Sequence, residues 1–112
     1  MTCFFAGLGG IVCQGPTDLH HVIPRGTIKR RFPFGALEDG TPATRLQQPR
    51  TPQLDLIQDR RNLQPVCRAH HANHHNARFS ITRERLPESV EDFAAQFGFV
   101  PWLERTYRRE AA

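Results

Sequence analysis

Asp59-Arg60-Arg61-Asn62-Leu63-Gln64-Pro65-Val66-Cys67-Arg68-Ala69-His70-His71-Ala72-Asn73-His74-His75 decides how this chain is read. Asn62 to Val66 reads as a short edge strand, because Pro65 has no N–H to give to a ladder. Cys67 to about Asn76 holds neither Gly nor Pro and reads as a helix. On that helix His71 and His75 stand four residues apart and share a face, while His70 and His74 share another about 100° away. Two imidazoles one turn apart are a common way for a helix to offer ligands to a single metal ion. Cys67 precedes His70 with the close spacing of a zinc half-site, and it precedes His71 by one residue more. Helical spacing alone lets either imidazole join it.

Upstream, Asp18-Leu19-His20-His21-Val22-Ile23-Pro24 reads as a strand over 18–24, with β-branched residues ahead of a proline stop. Neighbouring side chains on a strand point to opposite faces, so His20 and His21 cannot share one task. Cys3 and Cys13 frame a glycine-rich turn over 1–16. The chain has 3 Cys, an odd number that cannot close as an internal disulfide framework. Cys3, Cys13, Cys67 and His70 would together make a closed tetrahedral site for a structural zinc. Thiols used in this way fit an intracellular, cytoplasmic protein. The apolar start Cys3-Phe4-Phe5-Ala6-Gly7-Leu8 lacks a basic leader, and nothing approaches the ~18 apolar residues of a membrane span. No membrane partner is expected.

Downstream, Ser89 followed by Asp92 resembles a capping box. The helix it opens puts Val90, Phe93, Ala94 and Phe97 on one face and stops at Gly98. Pro101 suits the first turn of a last short helix holding Trp102, Leu103 and Tyr107. These C-terminal helices, over 89–109, read as packing material.

At 112 residues and 38% hydrophobic, the chain is one small domain, 1–112, with a thin core. It has no room for a Rossmann unit, a TIM barrel or a P-loop machine. A core this small needs a staple, which a bound metal would supply. The formal net charge is +4, and the surplus sits in residues 25–61. The basic, proline-rich insert at 26–61 contains a loop over 38–53, with Pro42, Pro49 and Pro52, and one helical turn over Thr27-Ile28-Lys29-Arg30-Arg31. A loop that long is usually functional or mobile. Every basic residue but Lys29 is arginine, whose planar fork binds phosphate through paired hydrogen bonds. Arg25, Lys29, Arg30, Arg31, Arg60, Arg61 and Arg68 are the candidate DNA contacts; a merely solvated arginine surface is the plain alternative.

Taken together, Leu19-His20-His21-Val22-Ile23-Pro24-Arg25, then Asp59-Arg60-Arg61-Asn62-Leu63, then Cys67-Arg68-Ala69-His70-His71 resembles the HNH endonuclease family. The step from Asn62 to His71, with His75 beyond it, is similar to the family's HxxxH variants. The Phe93-Ala94-Ala95-Gln96-Phe97 and Trp102-Leu103-Glu104-Arg105 tail resembles that of small phage-type members. Residues 26–61 are longer than the usual link, and His20 stands where many members carry Asp.

The resemblance implies an α+β fold with a small ββα-metal core, two strands and a helix around one catalytic metal, with a structural zinc site and C-terminal helices beside it. It implies a metal-dependent DNA endonuclease that hydrolyses phosphodiester bonds by nicking or double-strand cleavage. His21 would be the general base, since imidazole titrates near neutral pH. Asn62 would fix the loop that orients it. His20, His71 and His75 would hold a divalent Mg, Mn, Ni or Zn with open positions for phosphate and water. The register this implies leaves His70 for the zinc and His74 solvated. DNA is the expected partner, with other phage DNA-processing proteins beside it. The alternative on the same fold is a zinc-stabilised DNA-binding module with little or no catalysis.

Overall fold

The computed structural model describes residues 3–75 and 81–110, with backbone only for His74 and His75. It shows a small α+β protein. Two antiparallel strands, β1 (Thr17–His21) and β2 (Leu63–Cys67), pair in the register Thr17↔Cys67 to His21↔Leu63. Five helices accompany them among the described residues: α1 (Arg25–Arg31), α2 (Gln53–Ile57), α3 (Arg68–His75), α4 (Glu88–Phe97) and α5 (Val100–Thr106). Single 3₁₀ turns cover Arg60–Asn62 and Arg83–Arg85.

β1 ends at His21 rather than running to Pro24. Asn62 causes the break. Its carbonyl accepts the Val22 N–H at 3.0 Å, which extends the ladder by one bond. Its side-chain Oδ1 then accepts the Ile23 N–H at 2.8 Å, and Nδ2 donates to the Ile23 carbonyl at 2.9 Å. The Ile23 peptide is thereby satisfied without a partner strand, and Val22 and Ile23 turn into the core. For the same reason Asn62 itself lies in the 3₁₀ turn, and β2 starts one residue later than the sequence suggested. Pro65 sits on the outer edge of β2: its carbonyl accepts the Phe4 N–H, so its missing donor costs no ladder bond.

Proline opens three of the helices. Pro24, Pro52 and Pro87 occupy the N-cap positions of α1, α2 and α4, each with φ near −60° and extended ψ. This corrects the capping box. The chain enters α4 at Glu88, Ser89 lies inside the helix, and no side chain caps it. The fixed φ of Pro87 starts the turn, and Glu88 and Glu91 in the first turn favour the helix dipole. α1 is likewise longer than the single turn expected at 27–31, because Pro24 starts it early. α2 was not foreseen; it follows Pro52 directly. Tyr107 lies just past α5 and donates its N–H to the Leu103 carbonyl.

The long loop is pinned rather than free. Ala36 forms bridges to both Pro42 and Thr51. At Gly40 (φ +83°) a Cβ would collide with the Gln96 carbonyl, so the loop passes directly over α4 and only glycine fits there. One hydrophobic cluster joins Phe5, Ile23, Ile28, Phe32, Leu56, Val66, Val90, Phe93, Phe97, Phe99 and Leu103. The α4 face read from the sequence, Val90, Phe93, Ala94 and Phe97, is buried in full.

Candidate metal centre and histidine cleft

Four side chains converge where β2 passes into α3. Cys67 is the last residue of β2, His70 lies in the first turn of α3, Cys3 lies beside β2, and Cys13 arrives on the glycine-rich turn. Their ligand atoms all lie within 4.8 Å of one another. His70 Nδ1 is 3.2 Å from Cys67 Sγ, 3.5 Å from Cys13 Sγ and 3.8 Å from Cys3 Sγ. Zinc–sulfur bonds of ~2.3 Å and zinc–nitrogen bonds of ~2.0 Å give a tetrahedron with edges of roughly 3.5–3.8 Å. The spacing fits.

The protonation pattern fits as well. His70 Nε2 donates to the Leu8 carbonyl at 3.2 Å, which leaves the Nδ1 lone pair facing the sulfurs. Backbone amides supply further order: Cys67 N–H donates to Cys3 Sγ at 3.3 Å, and His70 N–H to Cys67 Sγ at 3.4 Å. Burial pushes the Cys67 thiol up, but hydrogen bonds from the His70 amide and ring outweigh it and bring it down to about 6. Desolvation, then contact with Cys67 and Cys3, pushes the Cys13 thiol up to about 11. The protein alone therefore favours one thiolate and resists a third, and a bound cation is what would allow all three to ionise. All three cysteines are free thiols. The group could hold a metal ion such as zinc, and the geometry assigns His70, not His71, to it.

The second cluster is more open. His20 and His71 are half-buried and meet edge to face, with ring centroids 5.2 Å apart. The side chain of His75 lies outside the described residues, so the trio of His20, His71 and His75 is described only in these two members. Phe5, almost fully buried, stands between the two clusters, 6.3 Å from the His20 ring and 6.5 Å from that of His70.

His21 points to the other face of β1. Its Nε2 lies 2.9 Å from the Ile57 carbonyl, which can only accept. The proton therefore sits on Nε2, and Nδ1 carries the lone pair. Asn62 holds the chain immediately after His21 through the Ile23 peptide. His20 and His21 both line a cavity of about 300 Å³ whose far wall is Trp102, Thr106 and Tyr107. Sequence reasoning missed that wall. Trp102 and Thr106 are four apart on α5, away from buried Leu103, and that spacing was the available signal.

The basic candidates divide by partner. Arg25, Lys29, Arg30, Arg60 and Arg68 are exposed. Arg31 donates to the Phe97 carbonyl at 2.8 Å and stacks over Phe32 and Phe99. Arg61 pairs with Asp59 at 2.7 Å and lies over Phe93 and Phe97. Burial would raise the Asp59 carboxyl, but the Arg61 hydrogen bonds hold it below its usual range. No family model, curated protein or solved structure matches the chain. Among the described residues no helix is long and apolar enough to cross a membrane.

Proposed function

We propose that the chain is a metal-dependent DNA endonuclease with a ββα-metal core formed by β1, β2 and α3. The observation that carries this reading is the state of His21. A carbonyl fixes its tautomer, the Asn62 clamp fixes the chain beside it, and its basic nitrogen is left for a cleft it shares with His20. A purely structural histidine has no need of that arrangement.

In the proposed reaction, water adds to the phosphorus while His21 Nδ1 takes its proton, and the bond to the 3′ oxygen breaks. Asn62 is a positioning residue: it holds the Val22–Ile23 turn and so the direction of His21. His20, His71 and His75 would hold a divalent metal. When bound it supplies charge relief at the phosphate and the leaving oxygen. The Cys3, Cys13, Cys67 and His70 group, closed and lacking an open position, takes the structural zinc. Arg25, Lys29, Arg30, Arg60 and Arg68 are the phosphate contacts. The protein acts inside the cell, alongside other phage DNA-processing proteins.

The test is nicking of supercoiled plasmid by the zinc-loaded protein with added Mg²⁺, Mn²⁺, Ni²⁺ or Zn²⁺. Relaxed circles that appear with an added ion and vanish in His21→Ala are expected. DNA binding with no cleavage in any of the four ions would leave the zinc-stabilised binding module instead.

A further inference from the structure

We propose that the cleft between α1 and α5 binds one strand of nucleic acid, with an unpaired base on Trp102 and the adjoining phosphates on Arg30 and Arg105. The inference rests on the nuclease reading for its choice of occupant, and it adds residues from α5, Trp102 and Arg105, to the interface.

Two helical stripes face each other across the cleft. On α1, Thr27, Arg30 and Arg31 recur at the spacing that shares a face; on α5, Trp102, Arg105 and Thr106 do the same. Between them lies a cavity of about 590 Å³ with no acidic residue in its lining. Arg31 is held by the Phe97 carbonyl and two rings, which makes it part of the wall. Arg30 and Arg105 remain. Among the described residues neither forms an ion pair, and the exposed bond from Arg30 to Thr27 is weak at 3.3 Å. A phosphate oxygen competes readily for such a donor.

The occupant follows from continuity. Trp102 lines this cavity and also the one that His20 and His21 line. A ligand crossing Trp102 therefore has cationic groups on one side and the proposed general base on the other. A repeating phosphate with flat rings between satisfies that sequence of surfaces. An acidic peptide offers charge but no ring for the tryptophan. The stacked base must be unpaired, because a base inside a duplex has no free face. The cut strand is thus opened, or already single, beside the scissile bond.

Trp102 is the only tryptophan of the chain, so intrinsic fluorescence reports on this cleft directly. The zinc-loaded full chain is titrated with a short single-stranded DNA, and with polyglutamate as the acidic control. Quenching by the DNA and none by polyglutamate is expected. Trp102→Ala should weaken binding of labelled single strand by about 5–150-fold, with Trp102→Phe recovering most of it. Arg105→Ala and Arg30→Ala, both at exposed positions, should each reduce the salt slope by about 0.7 with an unchanged melting temperature. Equal quenching by polyglutamate, or unchanged affinity and slope in both arginine variants, overturns the proposal. Plasmid nicking is scored separately. Nicking that survives intact in the arginine variants removes the groove but leaves the nuclease, whereas binding without nicking does the reverse.

Discussion

At one end of the molecule Phe32, Phe93, Phe97 and Phe99 close around one another, with Phe93 and Phe99 stacked at 5.9 Å and 7° between planes. At the other end Cys3, Cys67 and His70 are as deeply buried, but what they bury is polar. The aromatic end gains free energy from packing alone. The thiol end gains little that way, and its Cys13 thiol resists ionising beside its neighbours. It becomes an asset only when a cation joins it. The difference suggests how a thin core suffices: the C-terminal helices supply one half of the stability, and a metal would supply the other. His21 and Asn62 stand on the seam.

The strongest way to break this contrast is to remove the metal. Cys67→Ser, or zinc stripped by chelation, should cost most of the folding free energy, since structural zinc contributes ~10 kcal/mol or more in small domains. Zinc content and melting temperature should fall together. A metal-free protein that melts where the native one does would refute the division. A carve in the aromatic end should behave differently. Phe93→Ala should cost about 3–5 kcal/mol in denaturant unfolding, yet leave zinc content at its native value.

These two ends were unequally legible. The zinc ligands could be read because three cysteines in an odd count, one of them beside a run of histidines, leave few other uses. The α4 face could be read because Val90, Phe93, Ala94 and Phe97 repeat at helical spacing. What could not be read depends on distant partners. β1 stops at His21 because Asn62, far along the chain, captures the Ile23 peptide. The wall of the histidine cleft comes from α5, whose Trp102 looked like core. Ser89 failed as a cap because Pro87, two residues earlier, had already set the backbone for entry.

The next effects should fall on rate and spare both ends. His21→Ala should reduce metal-dependent nicking by about 10²–10⁴-fold, with melting temperature and zinc content unchanged. His75→Ala should abolish nicking and keep the zinc, while His74→Ala should be nearly silent; the opposite result would discard the α3 register. Loss of zinc in His21→Ala would show that the cleft and the thiol end are one unit, and the contrast would dissolve.

The smallest effect lies at the seam itself. Asp59 accepts the Arg61 N–H at 3.0 Å and holds the guanidinium at 2.7 Å, while that guanidinium lies over Phe93 and Phe97. One carboxylate thus ties the turn that presents Asn62 to the aromatic end. Its pKa is lowered in the folded protein, so its contribution is present above the ordinary carboxylate pKa of about 3.9 and is lost as pH falls through the lower folded value. The pair is partly exposed, so Asp59→Asn should cost only about 1 kcal/mol at neutral pH. The variant and the native protein should converge in stability as the pH falls below about 4. Because Asn62 keeps its own bonds to Ile23, nicking should change less than stability does. A larger loss of nicking than of stability would mean that Asp59 reaches His21 through the turn, and that the aromatic end helps to set the cleft.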